Sequence, residues 1–177
     1  RGYASDITRS WPVGGTFSEA QREIYTVVLD AQKAAIKACK VGEPYNAPHE
    51  AARRVLAEGL IALGVINQSL DEALDAETGQ LRDWYMHNTG HWLGLDVHDV
   101  GIYRPNGEPR LLESGMVLTV EPGLYFGAWR PDVSCPPRYA DIGIRIEDDV
   151  LVTDNGPVVL SEACPKELDA LEKIVGA

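Results

Sequence analysis

Cysteine, methionine and phenylalanine are scarce in this sequence, with three, two and two residues among 177. Cys39, Cys135 and Cys164 are odd in number and far apart, which excludes a complete disulfide framework and a paired-cysteine metal site and fits a reducing compartment. Positive charge is also in deficit. Lys and Arg total 16 against 27 Asp and Glu, a net charge of −11. That excess repels phosphate backbones and anionic lipid, and no basic run offers a local exception, which argues against nucleic-acid and membrane-surface partners. Long apolar runs are missing. The densest, around Val27, Val28 and Leu29, stops at Asp30, well short of the roughly 18 residues a membrane span requires. The opening residues Arg1 to Asp6 include no Met and lack the charged-then-apolar layout of a signal peptide, so they read as a cut end and the expected location is cytoplasmic. Internal repeats and low-complexity tracts are absent as well.

What remains is enough for a core, since 45% of the residues are hydrophobic and the length suits one domain. Ser18 and Gln21 have the spacing of a capping box, and Ile24, Val28, Ala31, Ala35 and Ala38 follow at helical spacing up to Gly42. Asn46 and Pro48 open a second predicted helix with a Val55, Leu56, Leu60, Leu63 stripe, weakened at Gly59. Ser69 and Glu72 start a short third one. After Gly79 the texture turns β-branched: Val117 to Val120, Ile142 to Ile146 and Val150 to Val152 predict strands. Asp154-Asn155-Gly156 is a hairpin turn signal before Val158. The stretch from Gly127 to Tyr139, with Pro131, Pro136 and Pro137, reads as a surface loop. A last helix is expected from Pro165, with Leu168, Leu171 and Val175 on one face. Helices, then antiparallel strands, then a helix predict an α+β fold rather than a doubly wound parallel sheet.

Three of the four histidines, His87, His91 and His98, fall in one Gly-punctuated segment. Each alone reads as an ordinary surface or core residue; together they suggest a site, because imidazole titrates near neutrality and is the commonest metal ligand. Alternation in Ile142-Gly143-Ile144-Arg145-Ile146-Glu147 puts the isoleucines on one face and Arg145 and Glu147 on the other. Taken alone, that charged pair reads equally well as a surface array. Glu121 ends a strand and precedes Pro122, which forces it towards extended geometry and removes the next ladder donor. Asp6, read by itself, is a turn residue.

In order along the chain, Asp6-Ile-Thr-Arg9, His87-Asn-Thr-Gly-His91-Trp-Leu-Gly-Leu-Asp-Val-His98-Asp99, Leu118-Thr-Val-Glu121-Pro-Gly123 and Gly143-Ile-Arg-Ile-Glu147-Asp-Asp149 resemble the metal-site motifs of the aminopeptidase P family, which cleaves Xaa-Pro bonds. These are pita-bread metallopeptidases, with prolidase and methionine aminopeptidase as cousins. The resemblance runs from one end of the chain to the other and implies an incomplete pita-bread fold, with helices outside a curved, mainly antiparallel sheet. Residues 1–177 would be a C-terminal catalytic domain lacking its N-terminal part.

The resemblance further implies that Asp6, His91, Glu121 and Glu147 are four of five ligands for two divalent metals. The fifth, an aspartate, would lie before Arg1. A mostly oxygen donor set with one imidazole suits Mn²⁺, although Zn²⁺ or Co²⁺ could displace it. Two such ions roughly 3.5–4 Å apart require several carboxylates between them. Glu121 would also shuttle a proton to the leaving nitrogen, His87 and His98 would hydrogen-bond substrate and intermediate, and Arg145 would orient Glu147 or contact substrate. The implied partners are peptides with proline in second position, and an exposed sheet edge favours a homo-oligomer. With one ligand missing, the chain is expected to hold metal weakly and to have little activity. Prolidase chemistry on Xaa-Pro dipeptides is one alternative reading, and a non-catalytic peptide-binding module of the same fold is another.

Overall fold

Ser18 begins the first helix as its spacing with Gln21 predicts: the Ser18 hydroxyl accepts from the Gln21 amide at 3.2 Å, and the Gln21 side chain accepts from the Ser18 amide at 2.8 Å. A computed structural model describes residues 2–127 and 133–176. It places α1 at Glu19–Ala38, α2 at Ala47–Ala62, α3 at Leu70–Ala73 and α4 at Leu168–Val175. The strands are β1 Val117–Val120, β2 Gly123–Tyr125, β3 Gly143–Arg145, β4 Asp148–Leu151 and β5 Val158–Val159. Every pairing among the described strands is antiparallel, in the orders β1-β4-β5 and β2-β3. The result is the mixed helix and antiparallel-sheet architecture expected from the sequence.

One face of α1, carrying Ile24, Val28, Leu29, Ala31, Ala35 and Ile36, is buried. It packs on α2 through Ala52, Leu56 and Leu60 and on the sheet through Leu118, Val120, Leu124, Ile144 and Ile146. Gly59, a weak point in helix propensity, has a packing reason: a Cβ there would lie 2.5 Å from Val27 Cγ1. The glycine lets the two helices approach closely.

Three local readings are refined. The last helix starts at Leu168 rather than Pro165: Glu167 before it is extended, and the carbonyls of Cys164 and Pro165 accept hydrogen bonds from Arg9. Asn46 precedes α2 without a side-chain cap bond. Of the proline-rich loop, Pro131 lies outside the described residues, while Tyr139 is in the core and donates its hydroxyl to Glu23 at 2.7 Å.

Candidate metal centre

β1 and β2 are one line interrupted at Glu121-Pro122, and β3 and β4 are a second interrupted at Ile146-Glu147. Val120 pairs with Asp148 and Gly123 with Arg145, so both ladders share one register, and its continuation sets Glu121 opposite Glu147. Pro122 supplies no N–H to complete the ladder. Each glutamate amide turns outward instead: Glu121 donates to Thr89 O at 2.7 Å and Glu147 to Thr8 O at 3.1 Å. Two flanking segments are recruited in this way. Residues 89–93 run beside β1, with Leu93 donating to Val117 O and Thr119 to His91 O, and residues 3–10 run beside β3 and β4. Four adjacent extended lines therefore contribute Asp6, Glu147, Glu121 and His91 in turn.

His91 Nε2 stands 3.5 Å from Asp6 Oδ2 and 3.5 Å from Glu121 Oε1. Asp6, His91 and Glu147 each offer a ligand atom within 4.8 Å of the others. The His91 ring nitrogen Nδ1 is 3.0 Å from the Trp92 carbonyl, which can only accept, so Nδ1 carries the hydrogen. Nε2 is thereby the ring atom turned to the Asp6 and Glu121 carboxylates, the one placed to ligate a cation beside them. That donor set fits a divalent metal, and the carbonyl that fixes the ring is the outer support such ligands need. Glu147 agrees: it is only 2% exposed, and burial with the nearby Glu121 and Asp6 charges pushes its pKa up to about 7, against the Thr8 hydroxyl bond and Arg145.

All seven residues singled out from the sequence lie in this region. Arg145 faces Glu121, with Nη1 3.7 Å from Oε2, and also acts electrostatically on Glu147. His87 reaches the centre through Tyr125: Arg145 Nε donates to the Tyr125 hydroxyl at 2.8 Å, which lies 2.8 Å from His87 Nε2. Since His87 Nδ1 donates to the Asn88 carbonyl, Nε2 accepts from Tyr125, and burial lowers the pKa of the ring and keeps it neutral. His98 is exposed and meets the His91 ring edge-on, with centroids 4.2 Å apart.

Sequence reasoning passed over Tyr125, Thr8 and Thr119. Period-two alternation from Asp6 to Thr8 and back from Glu121 to Thr119 puts both threonines on the ligand face. Tyr125 obeys the same count through Gly123, but Pro122 hides it. Thr119 is fully buried; its hydroxyl accepts from the His91 amide at 3.0 Å and donates to Glu121 Oε1 at 3.2 Å. Thr119→Val keeps the shape and removes both bonds. It is expected to cost about 1–3 kcal/mol in denaturant unfolding, because the His91 amide stays buried without a partner. An unchanged midpoint would mean that this hydroxyl does not support the two side chains.

A cavity of about 530 Å³ opens beside the centre, lined in part by Tyr45, His49, Asn88, His91, Tyr103 and Arg104. His49, the remaining histidine, bonds through Nδ1 to Thr89 Oγ1 at 2.8 Å, and burial lowers its pKa.

The model of metallopeptidase family M24 matches residues 1–154. The Xaa-Pro aminopeptidase of Haemophilus influenzae is 44% identical over 173 residues, 98% of this chain and 39% of that protein. The solved aminopeptidase PepP of Pseudomonas aeruginosa superposes with a TM-score of 0.91 at 46% identity, covering 98% of this chain and 38% of that one. Escherichia coli aminopeptidase P, solved with the inhibitor Pro-Leu and in a zinc-substituted form with product, gives 0.88 at 42% identity, again over 98% and 38%. This chain thus spans about two fifths of the length of these relatives and adopts the pita-bread architecture of that part. With four ligand-type side chains converging in the order its motifs require, the chain belongs to metallopeptidase family M24.

Proposed function

We propose that the protein carrying this chain hydrolyses the peptide bond between an N-terminal residue and a following proline, with two divalent metals, Mn²⁺ by the donor set, held by Asp6, His91, Glu121, Glu147 and a fifth carboxylate. The observation that carries this reading is the convergence of one imidazole and three carboxylates from four neighbouring extended lines of the chain. Relatives named Xaa-Pro aminopeptidase favour it over prolidase. When bound, the metals supply Lewis acidity that polarises a peptide carbonyl and acidifies water.

The chain's own groups do the rest. Glu121 is fixed by the Thr119 hydroxyl and Arg145, so its carboxylate can take a proton from the attacking water and pass it to the departing proline nitrogen. Arg145, Tyr125 and neutral His87 form one hydrogen-bonded chain that holds the three side chains in place beside Glu121. His98, exposed at the edge of His91, is free to donate to substrate.

The test is metal content by mass spectrometry after dialysis with Mn²⁺, coupled to hydrolysis of an Xaa-Pro tripeptide beside its Xaa-Ala counterpart. Proline-dependent cleavage that tracks bound metal supports the proposal; cleavage that ignores either one overturns it. His98→Ala is expected to leave metal content unchanged and to lower kcat about 100-fold or more, the contribution of one oriented transition-state donor. Loss of metal in that variant would instead make His98 a ligand.

A further inference from the structure

Arg9 is buried, with 6% of its side chain exposed, and all five of its guanidinium N–H groups have acceptors. Nε donates to Pro165 O at 2.9 Å; Nη1 donates to Thr8 O at 2.9 Å and to Glu147 O at 2.6 Å; Nη2 donates to Asp148 Oδ1 at 2.7 Å and to Cys164 O at 2.8 Å. Asp148, with no exposed side-chain surface, is satisfied in its turn by Ser161 Oγ at 2.6 Å, Gln32 Nε2 at 2.7 Å and the Lys166 ammonium. The cluster lies on the core side of β4, behind the face that presents Glu147.

The Glu147 peptide is gripped from both ends by the segment that carries Asp6. Its N–H reaches Thr8 O, and its carbonyl is held by the side chain of Arg9. We infer that Arg9, locked by Asp148, is a positioning residue that sets the separation of Asp6 and Glu147 across the metal centre. The inference rests on the metal-centre reading above. Lysine cannot replace Arg9, since an ammonium has three donors and no planar fork to span two strands and the 164–165 carbonyls at once. The residue touches neither substrate nor ligand side chain; it acts through the backbone.

The test titrates Co²⁺ into the 177-residue chain, following the visible absorption of the ion as well as its affinity. Arg9→Lys is compared with Leu60→Ala, a buried leucine of α2 outside the hydrogen-bonded cluster, at matched loss of urea stability. Arg9→Lys is expected to weaken Co²⁺ binding about 10–100-fold and to change the spectrum, as outer supports of metal ligands do. Leu60→Ala should keep the parent affinity and spectrum. If Arg9→Lys does not fold, Lys166→Gln decides, since it removes only the most exposed donor to Asp148 and should give a smaller loss in the same direction. Parent-like binding in Arg9→Lys, or in Lys166→Gln where that variant decides, or an equal loss in Leu60→Ala, overturns the inference while leaving the metal centre intact. Absence of even weak Co²⁺ binding by the unaltered chain overturns both.

Discussion

Glu147→Gln is expected to abolish metal binding and, at the same time, to stabilise the metal-free chain at alkaline pH. The two effects have one cause. Glu147 is buried opposite Glu121 and near Asp6, so folding raises its pKa from 4.5 to about 7 and favours its protonated form. The stability tied to that proton is fully present below about 4.5 and is lost as pH rises through about 7. The loss at pH 8 is on the order of 3 kcal/mol, and a neutral amide of the same shape does not suffer it. The stability of the parent relative to the variant, from denaturant unfolding of the metal-free chains, should therefore fall between pH 5 and 8. In the presence of Mn²⁺ the order reverses, because only the carboxylate can offset the charge of the ion, and metal affinity should drop by more than the 10–100-fold of an outer-shell change. Equal pH profiles for parent and variant, or undiminished metal in the variant, would contradict the assignment.

Gly90→Ala is expected to be the most damaging single methyl in the chain. A Cβ at Gly90 would lie 1.9 Å from the backbone oxygen of Thr119, and the residue cannot slide away because its own carbonyl accepts from the Tyr45 hydroxyl at 2.7 Å. The 89–93 segment would have to leave β1, breaking the bonds that Thr89 and His91 make to Glu121 and Thr119. A cost at or above the upper end of overpacking, about 3 kcal/mol, follows, which is a large share of the total stability of a small domain. Metal affinity should fall with it, since His91 moves. Parent-like urea unfolding and metal binding would mean that the two backbones are not in contact there.

Much of this was readable along the chain. The capping pairs Ser18–Gln21 and Ser69–Glu72 both form, β1 and β3 fall within the β-branched stretches, β4 overlaps the third but begins earlier, at Asp148, and the hairpin turn at Asp154-Asn155-Gly156 joins β4 to β5. Less visible were β2, only Gly123 to Tyr125, and the extended segments 3–10 and 89–93, which have no apolar alternation of their own. They are held by hydrogen bonds to neighbours distant in sequence, and local propensity carries no record of such bonds. Tyr125, Thr8 and Thr119 escaped for the same reason: their roles are defined by partners on other strands.

The sequence by itself determined the acidic character, the helix starts and the set of ligand-type residues, because capping, alternation and side-chain chemistry act within a few residues of one another. Only the tertiary structure decided that Glu121 stands opposite Glu147, that Arg145 pairs with Glu121, and that His87 reaches the centre through Tyr125. Those outcomes depend on strand register, and register is fixed by packing of the whole sheet on α1 and by the missing donor at Pro122, not by any one segment.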